Sequence, residues 1–216
     1  MPNWVYNTLT IEGEAERIDE VVAQLNKPFT KQFDEGETTY SNPIIAFWNI
    51  SKPSDDILDE YIGTASGGNI SNPNNWYSWN NANWGTKWDI GVADDTTYDT
   101  TSTYRGTPNS VSYSFETAWG APEQVMITLS QQYPDLELTL EYQEEQGWGG
   151  EIYFSNGMTT TLDHYTWKCG GCAYGEPDNA DENYCETCED YVCPKCDYGK
   201  LETCDSHAKA EEEVWF

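Results

Sequence analysis

The sequence predicts an α+β protein, in which a ferredoxin-like antiparallel sheet with two helices precedes a small cysteine-rich C-terminal module. Three observations lead to this prediction. Segments of alternating apolar and polar residues, which indicate strands, are interleaved with two segments of helical periodicity. Their order is β-α-insertion-β-β-α-β-β, which gives two βαβ halves around one sheet. Finally, all seven cysteines lie between residues 169 and 207, in regularly spaced pairs.

The first two predicted elements are a strand and a helix. Residues 4–12 alternate between apolar and polar side chains, as a half-buried strand does. A helix follows Gly13, because apolar residues then recur at intervals of three and four positions up to Leu25. We expect the helix to end before Pro28, since proline cannot continue it.

A long insertion with weak periodicity is predicted at about residues 28–86. It contains an apolar segment at 44–50, a short candidate helix at 54–61 and a loop rich in Gly, Ser and Asn at 64–75. Loops of this length are uncommon in compact domains and are often functional.

The second half of the sheet domain repeats the strand and helix pattern. Pro122 suits the first turn of its helix, where a missing N–H costs nothing, and Pro134 follows the end of that helix. In chain order, we expect a strand at 88–92, a Thr-rich turn region, a strand at 111–115, a helix at 122–133, a strand at 136–142 and a last strand around 152–154.

These elements define the predicted domain organisation. A ferredoxin-like domain is expected at 1–160, a metal-binding module at 165–210 and an acidic end at 211–216. A chain of 216 residues is long enough for one ordinary domain and one small appendage. The longest apolar run is too short to span a bilayer, and the N-terminus has no secretory signal. We therefore expect a cytoplasmic protein that does not enter a membrane.

The chain is strongly acidic, with 38 acidic and 10 basic residues and a formal net charge of −28. Proteins that bind nucleic acid directly use lysine and arginine to neutralise phosphates. The excess of acidic residues therefore predicts that this protein does not bind nucleic acid directly. It attracts basic partners instead. Solubility, or adaptation to a salty cytoplasm, explains the same charge equally well.

The cysteines and one histidine form four pairs with the two-residue spacing of zinc knuckles. We refer to them in chain order as the first to the fourth pair: Cys169 and Cys172, Cys185 and Cys188, Cys193 and Cys196, Cys204 and His207. Eight sulfur and nitrogen ligands complete two tetrahedral zinc sites with none left over. Iron or an iron–sulfur cluster is the alternative, because thiolates hold these as well.

Two arrangements of the ligands compete. Sequential sites combine the first pair with the second and the third with the fourth. A cross-brace combines the first with the third and the second with the fourth. We favour the cross-brace, because the four-residue gap between the second and third pairs resembles that of RING, B-box and FYVE fingers. Either arrangement leaves zinc fully coordinated by protein, which is typical of a structural site.

Several short strings in residues 1–155 together resemble the phage- and plasmid-encoded family described as a YubB-type ferredoxin-like domain. The resemblance implies a ferredoxin-like fold and a mobile-element origin, and it carries no known activity or catalytic residue. It rests on the opening Met1-Pro2-Asn3-Trp4, Asn7-x-Leu9-x-Ile11-x-Gly13, Asn83-Trp84-Gly85-Thr86-Lys87-Trp88-Asp89, Phe115-x-Thr117-Ala118-Trp119-x-x-Pro122 and Tyr133-Pro134.

Five tryptophans in and around these strings have two interpretations. They close one end of the sheet as core residues, or they form an exposed aromatic platform for a sugar, a nucleobase or a protein. The candidate platform consists of Trp76, Trp79, Trp84, Trp88 and Trp119.

The sequence gives little support for catalysis. No phosphate-binding loop, nucleophile elbow or dinucleotide motif occurs. With His207 assigned to zinc, His164 is the one remaining candidate for a general base, and Asp94 and Asp95 are adjacent and would point apart on a strand. We therefore expect a protein that is not an enzyme.

The leading functional hypothesis is a phage-encoded, acidic interaction protein. It binds a basic or nucleic-acid-binding host protein and acts as a DNA mimic. Three alternatives are a structural component of a phage particle, a RING-like adaptor of an enzyme, and glycan binding through the Trp-rich loop. The sequence does not indicate the oligomeric state.

Overall fold

The computed structural model describes residues 3–33, 36–62, 72–90 and 101–165, and four two-residue strands further on. The chain divides into two compact units. The first comprises Met1–Glu145 and Glu151–Leu162, and the second comprises Gln146–Gly150 and Asp163–Phe216.

A six-stranded sheet organises the first unit, and its central strand β1 is antiparallel to both neighbours, β5 and β6. The spatial order is β4-β5-β1-β6-β7-β8. The α+β prediction with an antiparallel sheet is confirmed. The strands of this sheet are β1 (Trp4–Glu12), β4 (Ser102–Thr107), β5 (Ser110–Ala118), β6 (Glu137–Glu144), β7 (Gly149–Ser155) and β8 (Met158–Tyr165).

Two helices pack on one face of this sheet, as predicted. They are α1 (Ala15–Leu25) and α4 (Glu123–Gln132). Alternate residues of β1 meet them, because side chains at even spacing share one face of a strand. The largest core side chains on these elements are fully buried: Leu9, Ile11, Ile18, Leu25, Met126 and Leu129.

The insertion is more regular than its sequence suggested. It contains the hairpin β2 (Phe29–Phe33) and β3 (Gly36–Tyr40), a 3-10 turn (Phe47–Asn49), α2 (Leu58–Ile62) and α3 (Trp76–Asn83). The predicted short helix is confirmed in part, since only its second half and one further residue are helical. Sequence reasoning missed α3. Its N-cap is Asn75, whose side chain accepts a 2.9 Å hydrogen bond from the Ser78 amide.

Two strand predictions are corrected. Trp88 and Ile90 do not form a strand, and the Ile90 amide donates to the Asp89 carboxylate instead of to a neighbouring strand. Residues 91 and 92 of this predicted strand lie outside the described residues. Strand β4 lies further along, in the Thr-rich segment predicted as turns. All its residues are exposed, so no alternation marked it. Strand β8 was also missed for this reason, since residues 158–164 are all exposed.

The second unit contains four two-residue strands in two antiparallel pairs. Strand β9 (Trp167–Lys168) pairs with β10 (Gly175–Glu176), and β11 (Tyr184–Cys185) pairs with β12 (Asp190–Tyr191). Among the described residues, no helix has the length and apolar composition needed to cross a membrane.

Candidate functional site

The predicted zinc ligands lie outside the described residues, apart from the backbone of Cys185 in β11. Asp94 and Asp95 also lie outside them. In the part of the chain that the structure describes, no group of three or more His, Cys, Asp or Glu side chains is arranged to hold a metal. The two zinc sites therefore stay a prediction. His164 is described, and its side chain is exposed on β8.

Two of the five tryptophans are core residues. Trp84 is completely buried, and Trp79 is 8% exposed. Their rings meet edge to face at 5.5 Å between centroids, and the Trp84 Nε1 donates a 2.9 Å hydrogen bond to the Ser51 carbonyl. The prediction that all five tryptophans form one exposed platform is therefore wrong. The indole needs a buried partner for its N–H and finds one in the insertion, so the motif serves packing at this point.

Trp88 and Trp119 are exposed, by 38% and 49%. The Lys87 ammonium lies over both rings, 4.3 Å from the Trp88 centroid and 4.4 Å from that of Trp119. Such cation–π contacts stabilise a lysine by about 0.5–1 kcal/mol at exposed sites. Trp76, the fifth tryptophan, is half-buried and packs edge to face with Tyr77.

Gly85 explains how this motif is fixed against α4. Its φ of 85° is a left-handed conformation that glycine adopts without strain. A Cβ at this position would lie 3.0 Å from the Ala121 carbonyl oxygen and 3.1 Å from the Glu123 amide nitrogen. The backbone therefore passes directly along the N-terminus of α4, which carries the core residues Val125 and Met126.

The centre of the insertion is a lysine enclosed by aromatic rings. Lys31, on β2, is 9% exposed. Its Nζ lies 4.8 Å from the ring centroid of Trp48 and between 5.4 and 5.5 Å from three others, those of Tyr61, Phe33 and Trp84. Burial lowers the pKa of Lys31, and the negative charge of Asp89 opposes that shift.

Asp89 ties the insertion together. Its carboxylate accepts hydrogen bonds from the backbone amides of Phe47 at 2.7 Å, Trp48 at 3.0 Å and Ile90 at 2.8 Å. Hydrogen bonds to a charged group are stronger than those between neutral groups. One side chain of the Asn83–Asp89 string thus fixes the turn that carries Trp48 over Lys31.

A pocket of about 240 Å³ opens beside Lys31. Within it, the Tyr61 hydroxyl donates a 2.9 Å hydrogen bond to Asn80 Oδ1, and the Asn80 Nδ2 donates to the Lys87 carbonyl at 2.8 Å. Burial raises the pKa of Tyr61, so its hydroxyl stays protonated as a donor. The lining comprises Lys31, Gln32, Phe33, Tyr61, Ile62, Trp76, Asn80, Trp88 and Asp89.

Sequence reasoning missed this pocket as a site. Lys31 lies in a stretch without clear periodicity, and its sequence neighbours gave no sign that it would be buried. Asp89 was visible within the quoted string, but its partners in the 3-10 turn, Phe47 and Trp48, are more than 40 positions away in the chain.

Replacing Asp89 by asparagine is expected to lower the free energy of unfolding by about 2–3 kcal/mol, since one carboxylate oxygen becomes a donor that faces backbone N–H groups. Urea denaturation of the two proteins measures the loss. Asp55→Asn is the matched control, because Asp55 is exposed, and it should cost less than about 0.5 kcal/mol. Equal losses for both variants would show that the carboxylate does not hold the turn.

The opposite face of the sheet is acidic. Five glutamates lie on the side of four strands that points away from the buried residues, namely Glu12, Glu116, Glu137, Glu141 and Glu151. The strands that carry them, β1, β5, β6 and β7, contain no lysine or arginine. Glu12 is directly opposite Glu137 in the register, where like charges repel.

Residues 87–184 match the family model of the ferredoxin-like domain in Api92-like protein. The match spans a little less than half of the chain, and over these residues it confirms the ferredoxin-like prediction. The chain is also similar to the crystal structure of a protein Api92 from Yersinia pseudotuberculosis, with 10% identity and a TM-score of 0.47 over 79% of this chain and 99% of that one. No curated protein matches the chain.

Proposed function

We propose that the chain is a non-enzymatic interaction protein whose acidic sheet face binds a basic protein. The observation that supports this most directly is the set of five outward glutamates on four strands without a lysine or arginine. A partner that normally holds nucleic acid has a basic surface of this complementary kind, so the acidic face acts as a DNA mimic.

The repulsion between two opposed glutamates supports the proposal that this face of the sheet binds a partner. Glu12 and Glu137 are both exposed and face each other across β1 and β6. Like charges in such cross-strand pairs destabilise a sheet by a few tenths of a kcal/mol or more. Lysine side chains of a partner, placed between them, would remove this repulsion in the complex.

The resemblance to phage- and plasmid-encoded proteins supports a mobile-element origin. The partner is then a host protein in the cytoplasm. The net charge of −28 favours rapid association with a basic partner and disfavours contact with nucleic acid itself.

We propose further that the four pairs of the C-terminal region bind two structural zinc ions. The regular two-residue spacing within each pair supports this, and so does the match between eight ligands and two tetrahedral sites. Zinc would hold together a region too short to bury a large apolar core.

Affinity purification from the native host at low and high salt, with mass spectrometry, tests the proposed function. We expect a basic protein that elutes as the salt concentration rises and that duplex DNA displaces. With this partner purified, the triple variant Glu12→Gln, Glu137→Gln, Glu141→Gln should bind at least about tenfold more weakly at low salt.

The control removes the same charge from the insertion, with Asp55→Asn, Asp56→Asn and Asp59→Asn, which are exposed in the structure. It should bind almost as tightly as the unchanged protein. Equal weakening by both triple variants would indicate a general charge effect and contradict a sheet-face interface. Failure to recover any salt-sensitive basic partner would contradict the proposed function itself.

A further inference from the structure

Lys31 is a buried cation without a hydrogen-bond acceptor among the described residues. Its side chain is on β2, and the residue is only 9% exposed. An ammonium group carries three N–H donors. Nevertheless, within the described part of the chain Lys31 has ring contacts and no ion pair or side-chain hydrogen bond.

The aromatic rings compensate only part of the cost of this burial. Cation–π contacts attract a desolvated ammonium. Removing an ammonium from water is costly even after the protein relaxes. Rings also accept no conventional hydrogen bond from the three donors. A second anionic group next to Lys31 would supply what the rings do not.

Asp89 is not the anionic partner of the Lys31 ammonium. It is close enough that its charge raises the pKa of Lys31, but the two form no ion pair. Its oxygens accept from the backbone amides of Phe47, Trp48 and Ile90, which hold the carboxylate in place and offset its charge. These three hydrogen bonds of Asp89 thus come from backbone amides, and the Lys31 ammonium does not contact this carboxylate directly.

The pocket beside Lys31 has the size and lining for an aromatic molecule. Its volume is about 240 Å³, and the rings of Phe33, Tyr61, Trp76 and Trp88 contribute to its walls. A cavity of about 150 Å³ is enough to bind benzene. The larger volume here accommodates two fused rings with a small substituent.

We infer that this pocket binds a small aromatic carboxylate, with the carboxylate on the Lys31 ammonium and the ring system among the aromatic side chains. This site is separate from the acidic sheet face. It needs no movement of β2, since Lys31 and the two residues after it already line the pocket.

Isothermal titration calorimetry of the full chain with two probes tests this inference. The probes are indole-3-carboxylate and indole-3-carboxamide, which have nearly the same shape and differ in charge. We expect the carboxylate to bind at least about tenfold more tightly than the amide. This comparison uses the unchanged protein, so it does not depend on the folding of a variant.

Two lysine variants locate the site. Lys31→Met keeps a long side chain that packs against rings, and it should abolish the preference for the carboxylate. Lys27→Met is the control, because Lys27 is exposed and does not line the pocket. It should leave the preference unchanged.

Three outcomes would overturn the inference. They are no binding of the carboxylate at concentrations up to about 1 mM, equal affinities for the carboxylate and the amide, and a preference that survives in Lys31→Met or disappears in Lys27→Met. Since the sheet face is not involved, none of these outcomes affects the proposed protein partner.

Discussion

Chelation of the metal is expected to unfold the region at 165–210 while the sheet of the first unit keeps its structure. Roughly 40 residues cannot bury enough apolar surface to fold alone, and structural zinc contributes on the order of 10 kcal/mol of folding free energy per site. We expect two zinc ions per chain by elemental analysis. Two-dimensional NMR before and after chelation should show signals collapsing for the cysteine-rich region only.

Two variants with four ligands replaced by serine distinguish the ligand arrangements. If the sites are sequential, removing the first and second pairs leaves one zinc ion, and removing the first and third leaves none. A cross-brace gives the reverse result. A chain that contains no zinc, or whose spectrum does not respond to chelation, would contradict the proposed metal sites.

Replacing Trp84 by alanine is expected to lower the free energy of unfolding by about 3–5 kcal/mol, the usual cost of removing a buried aromatic side chain. The Trp84 ring is fully buried, packs against Trp79 and Phe47, and donates its N–H to Ser51. The substitution removes these contacts and leaves a cavity. Chemical denaturation followed by circular dichroism measures the loss.

Trp119→Ala is the matched control for Trp84→Ala. Trp119 belongs to the same set of candidate tryptophans, but it is 49% exposed. Its replacement should cost less than about 1 kcal/mol, which reflects the cation–π contact with Lys87 and some surface packing. Similar losses for the two variants would mean that burial does not separate these tryptophans.

The sheet domain illustrates what periodicity can and cannot predict. Periodicity predicted strands β1 and β6 and helices α1 and α4, because each has one buried face and one exposed face. The hydrophobic effect favours apolar residues on the buried face, so they recur with the period of the strand or helix. Strand β4 has only exposed residues. Such a strand is held by backbone hydrogen bonds to its neighbour, which leave no pattern in its side chains.

The insertion shows the same limit at the level of single residues. Lysine is rarely buried, so nothing in the local pattern predicts that Lys31 lies among four rings. The rings come from β2, the 3-10 turn, α2 and the residue after α3, and the Asp89 carboxylate holds the turn that carries Trp48.

The sequence by itself determined the α+β class, the two helices on the sheet, the acidic charge and the paired cysteines. These are properties of local periodicity, composition and spacing. Only the tertiary structure decided which tryptophans are buried, which face of four described strands carries the outward glutamates, and that Lys31 lines a pocket. The physical reason is that burial and charge neutralisation depend on contacts between side chains from distant parts of the chain. No local sequence pattern predicts such contacts.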